Sequence, residues 1–284
     1  MSLWSHGWSR FRNWRTPQGP VDNVIADIDP SGLDVSQDFM FRCNVCGCAS
    51  RTTLAGLSRE TPACGHCGSN ARIRAMARLV ALELVGSSIA LPDVLQAKHL
   101  RGIGLSDTAA FAVALADRFD YVNTFLHAEP QLDIADADVD RYRGCDFMVA
   151  SDVFEHVAPP VSRAFRNAYE LLKPGGRLIF SVPFSLEPET IEHFPNLHDW
   201  RIEQLDDQQR LVNRAVDGTV TEHDNLVFHG GIGGTLEMRS FSRAGLEREF
   251  ACAGFARVRV ADEPYLPFGI YWSDPWSVPM VAYR

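Results

Sequence analysis

Residues 145–157 read CDFMVASDVFEHV, and residues 168–183 read AYELLKPGGRLIFSVP. Phe147 to Ala150 is a short apolar run of strand length, and Leu178 to Val182 is another. Between them, Val161 to Leu172 repeats apolar residues at helical spacing until Lys173-Pro174-Gly175-Gly176 stops the helix. Strand, helix and strand in succession predict a parallel sheet, whose strands are covered on both faces and therefore read as continuous apolar runs.

The same rhythm extends in both directions. Upstream, His99 to Gly104 predicts a strand entering a glycine-containing turn, Thr108 to Asp117 a helix, and Tyr121 to Phe125 a second strand. Downstream, a helix is expected over Ser242 to Gly254, then strands over Ala256 to Val260 and Val278 to Tyr283. Residues 185–235 break the pattern with His, Pro, Asn, Asp and Gly, and are too long for an ordinary connection. They read as an insertion on the substrate side of the sheet.

A different text precedes the sheet. Cys43 and Cys46, then Cys64 and Cys67, form two CxxC pairs, each followed by a glycine, Gly47 and Gly68. Such turns let two thiolates converge on one ion, so the four cysteines are the expected ligands of a structural zinc in a ribbon. Four thiolates leave no open position for chemistry. Cys48 and His66 read as bystanders, and Cys145 and Cys252 as core residues. Ser69 reads as the N-cap of a helix over Asn70 to Val85, which carries Arg72, Arg74 and Arg78 and closes the module. The expected division is a tail over 1–40, a zinc-ribbon module over 41–88, and a sheet domain over 89–284.

Composition narrows the class. Of 284 residues, 46% are hydrophobic and 22% charged, which excludes wholesale disorder and a disulfide-dense mini-protein. The net charge of −9 argues against a whole-surface nucleic-acid binder. Residues 1–84 hold nine arginines against seven acids, so a basic contact surface, if present, is N-terminal. The tail contributes Trp4, Trp8 and Trp14 but no apolar signal region, and no run is long enough to span a membrane; a cytoplasmic location is expected.

The segment from Asp146 to Pro183 resembles the central half of a class I S-adenosylmethionine-dependent methyltransferase: fourth strand, exit loop, the helix ending in LKPGG, and fifth strand. The resemblance implies a Rossmann-like doubly wound, mostly parallel sheet, with S-adenosylmethionine bound where the strand order reverses. It implies cofactor contacts from Gly102, Gly104 and Ser106 in the first loop, from Asp133 or Asp136 toward the adenine, and from Ser151 and Asp152 at the fourth strand. The first loop has two glycines where the family has an acid and three glycines, and the second strand lacks the acid that holds the ribose. Asn123, Thr124 and His127 stand in its place.

Candidate catalytic residues are Glu155 and His156 at the fourth strand, with His193 and His229 from the insertion. The insertion also holds His198, Asp199, Trp200, His223 and Asp224, which suit a hydroxyl-rich or heterocyclic acceptor; His223 and His229 lack a recognisable metal spacing. The ribbon combined with this domain, and the stretch FHGGIGGTLEMRSFS at 228–242, resemble bacterial methyltransferases of glycan or secondary-metabolite assembly. Three functions follow, in order of preference. The first is methyl transfer to a hydroxyl or amine of a small polar acceptor. The second is a binding or scaffold protein on an inactive methyltransferase fold. The third is an RNA or protein methyltransferase whose ribbon and arginine helix grip the macromolecule.

Overall fold

The computed structural model describes residues 34–36, 38–205, 208–229, 234–273 and 276–284. The expected tail, with its three tryptophans, lies outside these as far as residue 33, and so do residues 230–233 of the glycine-rich stretch.

The chain opens with an antiparallel hairpin, β1 (Asp38–Arg42) and β2 (Ala49–Thr53), and continues into helix α1 (Ala71–Val85). The N-cap of α1 is Asn70, not Ser69: the Asn70 carboxamide accepts from the Ile73 amide, while the Ser69 hydroxyl turns to the Cys43 sulfur at 3.2 Å. Then come β3 (Ala97–Leu105), α2 (Ala109–Arg118), β4 (Phe119–Thr124), the short α3 (Val139–Tyr142), β5 (Cys145–Ser151), α4 (Ser162–Leu171) and β6 (Leu172–Ser181). The insertion supplies β7 (Phe184–Ser185), β8 (Ile191–Glu192), β9 (Asp199–Leu205), β10 (Gln208–Arg214), β11 (Val220–His223), β12 (Phe228–His229) and β13 (Thr235–Leu236). The chain closes with β14 (Arg239–Ser242), α5 (Arg243–Ala253), β15 (Arg257–Val260) and β16 (Met280–Tyr283).

Among the described residues the central sheet has six strands, ordered β15, β16, β6, β5, β3, β4. The four strands from β6 to β4 run parallel, and β16 is antiparallel to both β6 and β15. This is the expected α/β architecture. Side chains alternate across the sheet as the two-residue period of a strand requires. Met148 and Ala150 of β5 and Leu178 and Phe180 of β6 face Phe165 of α4 and Phe250 of α5. Phe147, Val149 and Ile179 face α1 and α2 on the other side, with Phe111 and Leu115. Each such side chain contributes about 1.5–3 kcal/mol by leaving water.

Helix α1 belongs to the sheet as much as to the ribbon. Its buried residues include Ile73, Met76, Ala77, Leu79, Val80 and Ala81, which share one core with Cys43, Leu54 and Cys64 of the ribbon and with Phe147 and Val281 of the sheet. A helix apolar on more than one side is buried between two partners. Glu83 near its end accepts from Arg259 (2.6 Å), Tyr283 (2.9 Å) and Arg177 (3.2 Å), tying it to β15, β16 and β6. The boundary expected at residue 88 is therefore one in sequence only. Two smaller expectations also change. Cys252 is exposed, because the pitch of α5 turns it outward. The insertion is largely β: β9, β10 and β11 form an antiparallel sheet, and β14 joins β7 in parallel and β8 in antiparallel. No helix among the described residues is long and apolar enough to cross a membrane.

Candidate active site and metal centre

Strand β4 lies on one side of β3 and β5 on the other, so the carboxyl ends of β3 and β5 flank a topological switch point. Ser106 (φ 57°) and Asp152 (φ 53°) leave these two strands in the left-handed region, which opens the backbone at the mouth. Asp107 is buried beside them. Its Oδ2 accepts from the Tyr121 hydroxyl, while its Oδ1 has no partner among the described residues. Asn123 holds the turn, accepting from the Asp107 amide (2.9 Å) and donating to its carbonyl (3.0 Å), and the Thr124 hydroxyl donates to the Gly104 carbonyl (2.7 Å). Asn123 and Thr124 are thus committed to the turn rather than free for a ribose, and His127 is exposed.

Two of the glycine expectations change here. A Cβ on Gly102 would sit 2.2 Å from the Phe147 ring, and Gly102 pairs with Tyr121 and Phe147 inside the sheet, away from the mouth. It packs under the Phe147 ring within the sheet, three residues before the strand end. A Cβ on Gly104 would meet the Tyr121 hydroxyl at 1.8 Å and Asp107 Oδ2 at 2.2 Å, so this glycine makes room for the Tyr121–Asp107 bond. Asp133 caps the turn over Ile134–Asp136 by accepting from the Ala135 amide (2.8 Å), and Asp136 is exposed.

Burial pushes the Asp107 carboxyl up to about 7, against the Tyr121 hydrogen bond and the charge of Arg72, which pull it down. A raised carboxyl penalises the folded state above the unfolded value and ceases to do so as pH falls below it. The Asp107→Asn variant is therefore expected to gain on the parent as pH rises from 4 to 8. The stability gap between them should change by up to about 4 kcal/mol, read from denaturant midpoints at both pH values.

Asp152 is gripped from the ribbon side. Arg59 donates to both its oxygens (2.9 and 2.7 Å), Arg72 Nε lies 3.2 Å away, and the Ser181 hydroxyl donates at 3.0 Å. Burial would raise this carboxyl, but the Arg59 hydrogen bonds and the two arginine charges outweigh it and hold it below the usual carboxylate range. Arg72 also donates to Ser151, and both arginines bond Glu60. Arg74 is fully buried, donating to the Ser69 and Gly269 carbonyls and stacking on Phe41, and Arg78 lies over Tyr265. All three helix arginines are engaged within the molecule.

Beyond Asp152 the chain turns through Phe154–His156 and places four expected residues in one cluster. Glu155 is 1% exposed, and neither carboxyl oxygen has a hydrogen-bond partner among the described residues. His156 Nε2 and His229 Nδ1 each lie 3.8 Å from its Oε1, with the two rings edge to face at 4.7 Å. Glu237 accepts from His193 (3.0 Å) and His229 (2.8 Å), bridging the third and fourth residues. The backbone locks this arrangement: the Met238 amide donates to the Glu155 carbonyl (2.8 Å), and the His193 amide to the Met238 carbonyl (2.9 Å). Buried Arg239 pins the turn at the Phe154 carbonyl (2.7 Å) and pairs with Glu192. Burial, followed by the Asp152 charge, pushes the Glu155 carboxyl up to about 8; burial, with His229 adding to it, pushes His156 down and keeps it neutral.

Sequence reading missed Glu237 and the role of Arg59. Glu237 lies just past the insertion in a stretch read only for its resemblance, and Arg59 sits in an unpatterned loop; neither carries a local signal. The remaining histidines stay apart: His198 is exposed, and His223 packs on Phe194.

In the ribbon, Cys43 and Cys67 sulfurs are 3.6 Å apart and Cys46 and Cys64 sulfurs 3.7 Å, and all four lie within 4.8 Å of one another. A tetrahedral zinc about 2.3 Å from each sulfur separates them by about 3.8 Å. Amides of Gly47 and Gly68 donate to the Cys43 (2.7 Å) and Cys64 (2.9 Å) carbonyls, shaping both turns, and the Ser50 hydroxyl donates to the Cys64 sulfur (3.3 Å). Buried Arg74, close enough to feel the charge of all four thiolates, supplies the compensating cation. The four sulfurs fit the metal. Cys48 is buried beside them, its thiol directed to the Cys46 carbonyl, and His66 is exposed.

A search of curated protein sequences finds no match. Solved structures with a similar chain path include a sugar N-methyltransferase from Streptoalloteichus (14% identity, 75% of this chain and 87% of that one, TM-score 0.42). Another is an amino pentose methyltransferase from Micromonospora echinaspora (15% identity, 76% and 92%, TM-score 0.41). A 1,6-didemethyltoxoflavin-N1-methyltransferase from Burkholderia thailandensis is similar at 14% identity, 74% and 78% coverage and TM-score 0.41. Residues 47–216, more than half of the chain, match the family described as a methyltransferase domain. With that match over a sheet whose order reverses between β3 and β5, the chain belongs to the methyltransferase-domain family and is a class I S-adenosylmethionine-dependent methyltransferase.

Proposed function

We propose that this methyltransferase acts on a hydroxyl or amine of a small polar acceptor, a sugar or secondary-metabolite precursor, held at the mouth of β5. The observation that carries the reading is Glu155: a buried carboxylate with both oxygens unpaired, faced by His156 and His229, next to the switch point. An acceptor proton has a destination there, and the surrounding insertion is polar and aromatic.

S-adenosylmethionine supplies an already activated methyl group, so the chain's residues need to orient the acceptor, exclude water and take one proton. The unpaired Oδ1 of Asp107 and the left-handed turn at Ser106 fit a cofactor bound at the end of β3, with Gly104 keeping the turn open, Ser151 and Asp152 on the facing strand, and Asp133 and Asp136 as candidates at the adenine end. Arg59 and Arg72 keep Asp152 ionised and the mouth rigid. Glu155 and His156 with His229 take the acceptor proton, while Glu237 aligns His193 and His229. Zinc at Cys43, Cys46, Cys64 and Cys67 holds residues 41–88 against the sheet domain of residues 89–284, and residues 185–235 form the acceptor side.

The test is transfer of a labelled methyl group to panels of amino sugars, hydroxy sugars and small heterocycles, with total RNA and a protein extract as parallel arms. Label in the small-molecule arm is the expected result. Label confined to RNA or protein overturns the acceptor class, and cofactor binding without transfer in any arm leaves the scaffold reading.

A further inference from the structure

We propose that Glu155, His156 and His229 form a second metal centre, built for a divalent first-row transition ion (Mn2+, Fe2+, Co2+ or Zn2+) and distinct from the four-cysteine site. The argument starts from the imidazole protons. His156 Nδ1 lies 2.9 Å from the Leu236 carbonyl oxygen, which can only accept, so Nδ1 carries the hydrogen. In the neutral ring this leaves the lone pair on Nε2, the atom that faces Glu155. His229 Nε2 donates to the Glu237 carboxylate at 2.8 Å, which leaves the lone pair on Nδ1, again the atom that faces Glu155. Two nitrogen lone pairs and one carboxyl oxygen thus converge, all within 4.8 Å of one another.

Three donor atoms aimed at one point suit a cation placed between them. The nearby arginines do not supply it: Arg59 and Arg72 are engaged with Asp152 and Glu60. A shared proton does not span the gap either, because 3.8 Å exceeds hydrogen-bond distance on both sides. An ion about 2.1 Å from each donor does span it. Each histidine also has the outer partner typical of a metal ligand, a carbonyl for His156 and a carboxylate for His229, which fixes the tautomer and raises the basicity of the coordinating nitrogen. Two imidazoles and one carboxylate suit first-row transition ions and leave positions open, whereas the four thiolates of the ribbon select zinc and leave none. On the acceptor reading given above, an acceptor oxygen or nitrogen takes an open position, where the ion lowers its pKa so that its proton leaves to water and the three side chains act as ligands in place of proton acceptors; metal binding itself does not depend on that reading.

The experiment uses the full chain carrying a single equivalent of zinc, which the four thiolates take first, without cofactor or acceptor. Mn2+ is titrated and free Mn2+ followed by electron paramagnetic resonance, since manganese does not displace zinc from four thiolates. One bound equivalent is expected, with affinity falling at least about 100-fold in Glu155→Gln and in His229→Gln while zinc content and melting temperature stay unchanged. Because either variant could misfold, a second readout uses the parent protein: bound Mn2+ should broaden the imidazole resonances of His156 and His229 ahead of those of exposed His66 and His198. Binding weaker than about 1 mM, equal binding by parent and variants, or broadening that ignores His156 and His229 overturns the proposal. A failed methyl-transfer screen beside positive Mn2+ binding would strike the acceptor reading and leave the metal centre standing.

Discussion

Cys64→Ser protein is expected to lose its zinc and with it most of the stability of the whole chain, not of the ribbon alone. Cys64 is 2% exposed and shares one continuous core with Leu57, Ile73 and Met76 and, through α1, with Phe147 and Ile179 of the sheet. Structural zinc contributes about 10–16 kcal/mol in isolated finger peptides, comparable to the roughly 5–15 kcal/mol that holds an entire domain folded. The substitution also removes negative charge from beside buried Arg74, whose other partners among the described residues are neutral carbonyls and the Phe41 ring. Circular-dichroism melting with metal analysis is the check. A fall in melting temperature of more than about 10 °C, reproduced in the parent by a strong chelator, is the expected result. Cys48→Ser, which alters the bystander, should keep both zinc and melting temperature. An unchanged melt after loss of zinc would show that the sheet stands without the ribbon.

Glu155→Gln is expected to lower kcat by about 10²- to 10⁴-fold, corresponding to about 3–5 kcal/mol of transition-state stabilisation, while leaving S-adenosylmethionine affinity within a few-fold. Glutamine matches the carboxylate in shape but neither takes a proton nor carries charge. The cofactor end of the mouth, at Asp107 and Ser106, is bonded to Tyr121, Asn123 and Thr124 and does not involve Glu155. Glu237→Gln should show a smaller loss, about 10- to 100-fold, because Glu237 acts through His193 and His229 and its replacement still accepts one hydrogen bond. Acceptor KM should move little in the first variant and more in the second, where the acceptor-side histidines lose their alignment. Equal, modest losses in both would mean that Glu155 only supports the turn. Calorimetric cofactor titration separates a damaged fold from damaged chemistry.

The fold was legible because its signals are local. Continuous apolar runs at Phe147 to Ala150 and Leu178 to Phe180 survive as strands since both faces of the sheet are covered, and the LKPGG stop ends α4 at Leu171 and itself forms the start of β6. The four-cysteine cluster was legible for the same reason: two CxxC turns carry their geometry within four residues each. Glu155 and His156 were legible as neighbours of a strand end. The N-cap was misplaced by one residue because Ser69 and Asn70 are both good caps, and the choice between them depends on Cys43, which lies 26 positions earlier in the chain.

What the chain order alone determined, then, is the architecture, the four-cysteine cluster and the end of the sheet where the candidate site lies, since each rests on spacing between near neighbours. Tertiary structure decided what those residues do. It brought His193 and His229 to Glu155 through Glu237, across a chain gap closed by the His156 ring at the Leu236 carbonyl, 80 positions away, and by the Met238 amide at the Glu155 carbonyl. It moved Gly102 from the site into the packing of Phe147, and it turned Arg59 and Arg72 inward onto Asp152 instead of outward toward a partner. Each of these depends on which side chains a fold sets within about 4 Å of one another. Distance of that kind is a property of packing, and no spacing along the chain encodes it.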